Sequence, residues 1–360
     1  MTGRLYFLYY NSVYEILSKN VALSQMRVQR YGFFSNPPNN ITSFLQKSEK
    51  FRTFTPMKAR FAPSPTARMH LGNVFCALLS WLSIKSRQGS WLLRIEDLDP
   101  DRSRREYADH IMRDLEWLGL TWDEGPYYQS ERHSLYAEAL EKLKAAGLVY
   151  PCFCTRADIM ATQAPHESDG RIVYAGTCRA RPFIEKDLER AAVRLRVPDE
   201  EIRFTDGHYG PQSVNLSRHC GDFIIRRKDG AWGYQLAVVV DDTSMGITEV
   251  VRGRDLLLSS PQQIYVARLL GCEPPSFTHL PLLCNAEGQR LSKRDHGIDM
   301  EYLRLRYSAE EIIGRLAWLA GILPLPRPVR PEELIPLFRW DNVPLEDVRV
   351  KSEGPIKTKD

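Results

Sequence analysis

The order of apolar and polar residues after Met57 predicts alternating strands and helices. A short apolar segment, ARFA, precedes a proline-containing loop, after which Leu71, Val74, Leu78 and Leu82 recur at helical spacing. The next apolar run, WLLRI, turns acidic at its carboxyl end. A strand, a helix and a second strand in one short stretch form a βαβ unit, so we predict an α/β fold with a parallel sheet.

Later segments continue this alternation. Helical spacing predicts helices over REYADHIMRDLEWLGL, SERHSLYAEALEKLKAAGL and QQIYVARLLG, and a further helix that begins with a capping box formed by Ser308 and Glu311. Two apolar runs, FIIRR and YQLAVVVDD, are predicted to be buried strands on either side of a turn at residues 228–230. The segment HLPLLC is predicted to form another strand.

These elements divide the chain into five predicted parts. Residues 1–57 form an extension outside the fold, residues 58–149 the first half of the α/β domain, residues 150–215 an insertion, residues 216–300 the second half, and residues 301–360 a helical C-terminal region with a tail. The insertion is recognised because cysteine, proline, glycine and mixed charge interrupt the regular pattern there.

The first 57 residues are aromatic-rich and then polar, with acids only at Glu15 and Glu49. Glu15 interrupts the apolar run and no A-x-A-like site follows promptly, which argues against a secretory signal, and a transit peptide is a weaker alternative. We expect an extension, such as an upstream reading-frame artefact, because Met57 directly precedes the first strand. No run approaches the roughly 18 apolar residues that cross a bilayer, so we expect no membrane span.

Composition narrows the class of protein only slightly. The formal net charge of +4 permits a nucleic-acid partner without requiring one. Seven cysteines in 360 residues are too few for a disulfide scaffold, so we expect a reducing, cytoplasmic environment with metal-bound or buried thiols.

The loop APSPTARMHLGN at residues 62–73 has features of a phosphate site. Pro63 and Pro65 restrict the backbone, and Gly72 allows a ligand to approach the amino end of a helix, where free N–H groups and the helix dipole favour phosphate. His70 could donate a hydrogen bond to phosphate oxygens. An ordinary strand-to-helix turn with a capping histidine explains the loop equally well when it is considered alone.

Acidic residues follow the second predicted strand at Glu96, Asp97 and Asp99. Ligands of parallel sheets bind beyond the carboxyl ends of the strands, and the loop at residues 62–73 follows the first strand. We therefore expect these acids and that loop to converge on one site.

A basic loop, QRLSKRDHG, occupies residues 289–297. Lys293 offers a point charge suited to a developing triphosphate charge, and Arg290 and Arg294 strengthen the local field. A solvated charged loop is the commoner explanation, so this loop gains weight only in combination with the one at residues 62–73.

The insertion contains a cluster of metal-ligating residues. Cys152, Cys154 and Cys178 supply three thiolates in a segment with too few apolar residues for a core of its own, which predicts one structural zinc ion. Considered from chemistry alone, His166 or Asp169 is the preferred fourth ligand, because phenolate is uncommon on zinc.

The two loops together resemble the signature loops of class I aminoacyl-tRNA synthetases. His70-Leu71-Gly72-Asn73 is similar to the His-x-Gly-His loop, and Arg290-Leu291-Ser292-Lys293-Arg294 is similar to the Lys-Met-Ser-Lys-Ser loop. The segments RFAPSPT, RIEDLDPDR, WDEGP, YQSER and VVRGRDLL resemble the glutamyl and glutaminyl branch. The chain ends too soon after the second loop to hold an anticodon-binding domain. With the cysteine cluster, it therefore resembles the truncated paralogues that attach glutamate to queuosine.

This resemblance implies a Rossmann-like parallel-sheet catalytic domain with a zinc-binding insertion and a short helical C-terminal region. It implies ATP-dependent activation of L-glutamate without tRNA, followed by transfer to queuosine at the anticodon wobble position of tRNA(Asp). The implied cofactors are one zinc ion and Mg²⁺ with ATP, and we expect a monomer. Two alternatives stay open: a glutamyl-tRNA synthetase without an anticodon-binding domain, and a non-catalytic module that binds an amino acid or RNA.

The resemblance also implies roles for individual residues. His70 and Lys293 would be the catalytic pair that stabilises charge on the phosphates, and the implied ATP site consists of His70, Gly72, Asn73 and Lys293. In the implied glutamate site the guanidinium and hydroxyl groups face the carboxylates, Tyr234 adds a hydroxyl and Glu96 holds the ammonium. The implied glutamate-site residues are Arg60, Phe61, Ala62, Pro63, Ser64, Glu96, Tyr234 and Arg252.

Two further residues depend on this resemblance. It shifts the predicted fourth zinc ligand to Tyr174, because the paralogues carry a Cys-x-Cys, Tyr-x3-Cys pattern. Ala67 is a departure, since the family usually has glycine there. If that position needs positive φ, alanine is strained and activity is lowered.

Overall fold

The computed structural model describes residues 57–161, 173–291 and 299–350. In chain order its strands are β1 (Lys58–Phe61), β2 (Ser90–Ile95), β3 (Glu124–Tyr128), β4 (Val149–Cys152), β5 (Ala192–Leu195), β6 (Glu201–Asp206), β7 (Gly210–Asn215), β8 (Phe223–Arg226), β9 (Glu249–Gly253), β10 (Ser276–Leu280), β11 (Leu283–Cys284) and β12 (Val348–Arg349).

The helices are α1 (Leu71–Lys85), α2 (Arg105–Trp117), α3 (His133–Ala145), α4 (Arg156–Ala161), α5 (Leu216–His219), α6 (Tyr234–Ser244), α7 (Ser259–Leu270), α8 (Met300–Arg304), α9 (Ala309–Leu319) and α10 (Pro331–Leu334). Short 3₁₀ turns occur at Gln129–Glu131, Glu185–Glu189, Arg254–Leu256 and Trp340–Asn342. Within the described ranges, no helix is both long and apolar enough to cross a membrane.

A parallel sheet with the order β10-β9-β1-β2-β3 is the centre of the fold. This confirms the prediction of an α/β fold with a parallel sheet. Strand β1 pairs with β2 on one side and with β9, from the second half of the chain, on the other. The strand order therefore reverses at β1, which is the place where ligands bind in open α/β sheets.

Helix α1 confirms the first βαβ unit. The side chains of Leu71, Val74, Leu78 and Leu82 are fully buried, as their helical spacing predicts. Each buried leucine contributes about 1.5–3 kcal/mol relative to an exposed one, so this apolar face holds α1 against the sheet.

Most of the later helices also agree with the sequence predictions. Helices α2, α3 and α7 occupy the predicted segments, and α9 begins with the expected capping box. Ser308 Oγ accepts a hydrogen bond from the Glu311 N–H at 3.2 Å, and the Glu311 carboxylate accepts one from the Ser308 N–H at 2.7 Å. The segment HLPLLC splits between the end of β10 and the short strand β11.

The prediction of a strand over YQLAVVVDD is wrong, whereas FIIRR forms β8 as predicted. Residues 234–244 form helix α6, which packs against α3 and α7. Leu236, Ala237, Val238 and Val239 are all buried, so both sides of the helix face protein. Valine loses at most about 0.7 kcal/mol in a helix, and the burial of its side chain outweighs this loss.

The segment after α3 forms a small antiparallel sheet of the order β4-β5-β8 and a separate hairpin of β6 and β7. One hydrophobic core lies between α1, the parallel sheet and helices α8 to α10. A second core lies between α6, α7 and the small sheet. The C-terminal region contacts earlier elements in two places. Strand β12 pairs with β11 in a separate two-stranded sheet, and Trp340 Nε1 donates to Ser83 Oγ of helix α1 at 3.2 Å.

Candidate active site and metal cluster

A cavity of about 500 Å³ lies at the carboxyl ends of β1, β2, β9 and β10. Every described residue of the predicted glutamate and ATP sites lines it, although their roles stay predictions. These residues are Arg60, Phe61, Ala62, Pro63, Ser64, His70, Gly72, Asn73, Glu96, Tyr234 and Arg252. Lys293 lies outside the described residues.

His70 caps the amino end of α1, beside the cavity. Its Nδ1 accepts a hydrogen bond from the Gly72 N–H at 3.1 Å, and Asn73 Oδ1 accepts one from the His70 N–H at 3.1 Å. A Cβ atom at Gly72 would lie 3.0 Å from His70 Cε1, so glycine allows the imidazole to fold over the helix end. With Nδ1 as acceptor, the proton of a neutral imidazole lies on Nε2. The N–H groups of Gly72, Asn73 and Val74 all bond to His70, so the dipole of α1 and the Nε2–H group are what favour an anion at this end of the helix.

The described residues on both sides of the second loop lie close to the first one. Arg290 and Leu291 line the cavity, and Arg290 forms an ion pair with Asp255 at its wall. On the far side of the loop, Asp299 bridges to His70, and the Met300 N–H donates to the Met69 carbonyl at 3.0 Å. The two predicted signature loops therefore meet at one cavity, as far as their described residues show.

Arg252, near the end of β9, is 4% exposed and is surrounded by neutral groups. It donates to Ser260 Oγ at 2.7 Å, to Gln263 Oε1 at 2.9 Å and to His279 Nε2 at 3.1 Å. The Tyr234 hydroxyl lies 3.5 Å from Arg252 Nη1. Among the described residues, no carboxylate forms an ion pair with Arg252. Burial disfavours the charged guanidinium and lowers its pKa, and an anion that entered the cavity would offset this cost.

A buried network of charges holds Arg60 and Glu96, which also line the cavity. Arg94, inside β2, donates to Asp242 Oδ1 at 2.7 Å and to Glu96 Oε1 at 3.2 Å. Asp242 also accepts from Arg60 Nε at 3.3 Å. Burial raises the pKa of Glu96, with Arg94 and Arg60 opposing the shift. Burial also acts on Asp242, but Arg60 and Arg94 hold its pKa below the ordinary value.

Three acids were predicted to converge on the site, and one of them lines the cavity. Glu96 lines it, whereas Asp97 accepts two hydrogen bonds from Ser130, and Asp99 pairs with Arg102 and Arg227. Asp97 thus connects the loop after β2 to the turn after β3, and Asp99 connects it to the turn after β8.

Tyr234 reaches the cavity from an element that the sequence did not predict. It was expected at a strand but is the first residue of helix α6. Gly233 precedes it, and a Cβ atom there would lie 2.5 Å from the Ile224 carbonyl oxygen, so glycine brings the start of α6 against β8.

Three thiols and one phenol meet in the insertion. The sulfur atoms of Cys152, Cys154 and Cys178 lie within 4.8 Å of one another. Thiolates on a tetrahedral zinc lie about 3.8 Å apart, given Zn–S bonds of about 2.3 Å, and the Cys154 and Cys178 sulfurs are 3.6 Å apart. This cluster therefore fits a metal ion.

The Tyr174 hydroxyl lies at the open side of these thiols. It is 3.4 Å from Cys152 Sγ and 3.6 Å from Cys154 Sγ, and it accepts a hydrogen bond from the Cys178 N–H at 2.9 Å. Burial raises its pKa, so without a metal the phenol keeps its proton. Tyr174 stays the predicted fourth ligand, and His166 and Asp169 lie outside the described residues.

The sequence matches a known protein family over most of its length. The family model for the catalytic domain of class I tRNA synthetases (E and Q) matches residues 56–320. The chain belongs to this family. The loops at residues 62–73 and 289–297 both lie within the matched range.

Relatives within this family resemble the chain closely. A glutamyl-Q tRNA(Asp) synthetase of Symbiobacterium thermophilum is 48% identical over 311 residues, which cover 82% of this chain and 96% of the relative. The glutamyl-Q tRNA(Asp) synthetase of Nitratidesulfovibrio vulgaris is 46% identical over 303 residues, which cover 80% of this chain and 94% of the relative.

Solved structures show the same fold. A glutamate tRNA ligase of Elizabethkingia meningosepticum, in complex with its amino acid, is 29% identical with a TM-score of 0.69, covering 81% of this chain and 66% of its own. A glutamate-tRNA synthetase of Elizabethkingia anophelis is 29% identical with a TM-score of 0.70, and the match covers 82% of this chain and 68% of the synthetase. This chain thus spans about two thirds of the length of those synthetases.

The departure from the family pattern at Ala67 carries no backbone strain. Gln88 is the only non-glycine residue with positive φ in the described part of the chain, so Ala67 adopts an ordinary conformation. The condition under which alanine would lower activity is not met.

Proposed function

We propose that this chain activates L-glutamate with ATP in the absence of tRNA and transfers the glutamyl group to queuosine in the wobble position of tRNA(Asp). The observation that carries the proposal is Arg252, a buried guanidinium without a carboxylate partner among the described residues, in a cavity that also contains the amino end of α1. A site with both features suits an anionic amino acid beside a nucleotide phosphate. The glutamyl-Q names of the relatives support this choice of substrates.

Glutamate would bind in the cavity at the carboxyl ends of the strands. Its carboxylates would face Arg252, Arg60 and Ser64, and its ammonium group would face Glu96, whose charged form the neighbouring Arg94 favours. The Tyr234 hydroxyl, 3.5 Å from Arg252 Nη1, would add a donor to the same carboxylate. Phe61, Ala62 and Pro63 would form the floor.

The first step joins glutamate to AMP. An oxygen of the α-carboxylate attacks the α-phosphorus of Mg²⁺-bound ATP, the bond between the α-phosphorus and the bridging oxygen breaks, and pyrophosphate leaves with its electron pair. Negative charge grows on the phosphates, where His70, the amino end of α1 and Lys293 would stabilise it. Catalysis rests on positioning and electrostatics, because the cavity residues do not need to form a covalent bond with the substrate.

The second step transfers the glutamyl group. A hydroxyl of queuosine attacks the carbonyl carbon of the adenylate, the bond to the phosphate oxygen breaks, and AMP leaves. One zinc ion would be held by Cys152, Cys154, Tyr174 and Cys178, where it would fix the insertion without touching either substrate. We propose a cytoplasmic monomer.

Charging of tRNA tests the acceptor. Purified protein is incubated with ATP, labelled glutamate and tRNA(Asp) from cells that make or lack queuosine, with tRNA(Glu) as a control. We expect label only on queuosine-containing tRNA(Asp). Label on tRNA(Glu) instead would identify a glutamyl-tRNA synthetase without an anticodon-binding domain. No activation and no transfer would indicate a non-catalytic module.

A further inference from the structure

A buried chain of hydrogen bonds connects the β6–β7 hairpin to Arg252. Asp206, the last residue of β6, has its Oδ2 atom 2.6 Å from His279 Nδ1. His279 Nε2 in turn lies 3.1 Å from Arg252 Nε. Both the Asp206 and the His279 side chains are fully buried, and only Arg252 lines the cavity.

The carboxylate at the far end of this chain is rigidly held. Asp206 Oδ1 accepts hydrogen bonds from three backbone N–H groups, those of His208 at 3.0 Å, Tyr209 at 2.9 Å and His279 at 3.2 Å. Burial raises its pKa, but the hydrogen bonds from His279, Tyr209 and His208 together hold it below the ordinary value. The carboxylate is therefore ionised, and Oδ2 is left to accept from the imidazole.

These contacts determine which imidazole nitrogen carries the proton. An ionised carboxylate only accepts hydrogen bonds, so Nδ1 of His279 must be the donor. A guanidinium only donates, so Nε2 of His279 must be the acceptor. Burial lowers the pKa of His279, and Arg252 acts in the same direction, so the imidazole is neutral. A single tautomer satisfies both neighbours.

A neutral imidazole suits this position better than a carboxylate would. A carboxylate in direct contact with Arg252 would hold the guanidinium in place but would also cancel its charge. His279 fixes the Nε edge, Ser260 and Gln263 fix the two Nη groups, and the positive charge stays available to a ligand.

We propose that Asp206 and His279 are positioning residues that set the affinity for the substrate carboxylate by orienting Arg252. This inference rests on the proposed function for the identity of the ligand. It makes the hairpin of the insertion part of amino-acid recognition. Gly207, the next residue after Asp206, has no room for a Cβ atom beside Thr278 Oγ1, so the hairpin lies directly against β10.

An isosteric variant tests the inference without removing volume. In Asp206→Asn the amide can keep accepting from the backbone N–H groups, but its NH₂ group then faces Nδ1 and forces the proton onto Nε2, toward Arg252. We expect KM for glutamate in ATP–pyrophosphate exchange to rise about tenfold or more, with KM for ATP and kcat changed less than twofold. His208→Gln alters a ring that contacts the Pro344 carbonyl instead and should leave KM for glutamate unchanged.

A pair of His279 variants separates the two contacts. Asparagine can replace the donor to Asp206 but does not reach Arg252, whereas glutamine can present an acceptor near the position of Nε2. We expect KM for glutamate to rise in His279→Asn and to be partly rescued in His279→Gln, while thermal unfolding shows that both are folded. Unchanged KM values for glutamate in all three variants, or equal increases for glutamate and ATP, would overturn the inference.

The tautomer of His279 can be measured without an activity assay. Nitrogen-15 NMR of the wild-type chain should show His279 protonated at Nδ1, and Asp206→Asn should show it protonated at Nε2. The same tautomer in both proteins would refute the proposed control of His279 by Asp206. If wild-type protein gave no glutamate-dependent exchange while the tautomer switched as expected, the proposed function would fail. The arrangement in which Asp206 and His279 orient Arg252 would still stand.

Discussion

Arg94 and Asp242 form a fully buried ion pair, with 2.7 Å between Nη1 and Oδ1, that joins strand β2 to helix α6. The same Asp242 oxygen accepts from Arg60, and Arg94 extends to Glu96. Asp242 therefore holds two arginines at once. Arg94 contacts Glu96, the predicted ammonium ligand, and Arg60 belongs to the predicted site for the substrate carboxylates.

Asp242→Asn should destabilise the fold and weaken glutamate binding. Loss of one partner of a buried pair leaves Arg94 and Arg60 poorly compensated, so we expect the free energy of unfolding to fall by about 3–5 kcal/mol in chemical denaturation. Asp229→Asn, which removes an exposed partner of Arg227, is the control. It should change the free energy of unfolding by about 1 kcal/mol or less. Equal losses in the two variants would contradict the role of Asp242.

Glu96 should make stability depend on pH in the opposite direction from most carboxyl groups. Its pKa is higher in the folded chain than the ordinary 4.5, so its contribution to stability is present below that value and is lost as the pH rises through the folded pKa. Glu96→Gln should therefore gain stability relative to wild type as the pH rises above 4.5, in ligand-free protein. Denaturation series at several pH values would show this, and a constant difference would contradict it.

Purified wild-type protein should contain one zinc ion per chain, measured by elemental analysis. Cys152→Ser and Cys178→Ser should lose it and unfold more readily, because the insertion depends on the metal. Cys272→Ser, outside the cluster, should retain it. Only traces of zinc in the wild type, together with normal folding of Cys152→Ser, would exclude the site.

The rate of zinc release to a chelator identifies the fourth ligand. Tyr174→Phe should release zinc to a chelator faster than wild type, whereas His166→Ala should not, because the Tyr174 hydroxyl lies within 3.6 Å of two of the sulfurs. The reverse order would assign the ligand to His166.

Lys293→Ala should slow activation while leaving glutamate binding nearly intact. Its charge is expected to act on the phosphates in the transition state, and removal of one such group lowers kcat by about 10²–10³-fold. Exchange kinetics and equilibrium glutamate binding would be measured side by side. Lys142→Ala, which removes an exposed partner of Glu138, should have no effect. Wild-type exchange in Lys293→Ala would remove that residue from the mechanism.

The sequence predicted the parts of the fold that depend on local pattern. The βαβ unit and helix α9 have clear apolar spacing and a capping box, and both are present. The three cysteines could likewise be recognised from their spacing. The cavity residues were named from motifs that resemble those of the synthetase family.

Tertiary context decided the rest. The run YQLAVVVDD is short and rich in valine, so its pattern favoured a strand, and only its burial between α3 and α7 makes it a helix. That error hid Asp242, which faces Arg94 only because α6 is helical. A charged residue inside the apolar strand WLLRI was the one available signal, and it did not reveal the partner.

The central claim is tested most directly by ATP–pyrophosphate exchange with purified protein in the absence of any tRNA. We predict exchange that depends on L-glutamate and is not supported by L-glutamine, because Arg60 and Arg252 both line the cavity and glutamine offers them one carboxylate where glutamate offers two. Exchange that begins only when tRNA is added, or no exchange with glutamate under any condition, would contradict it.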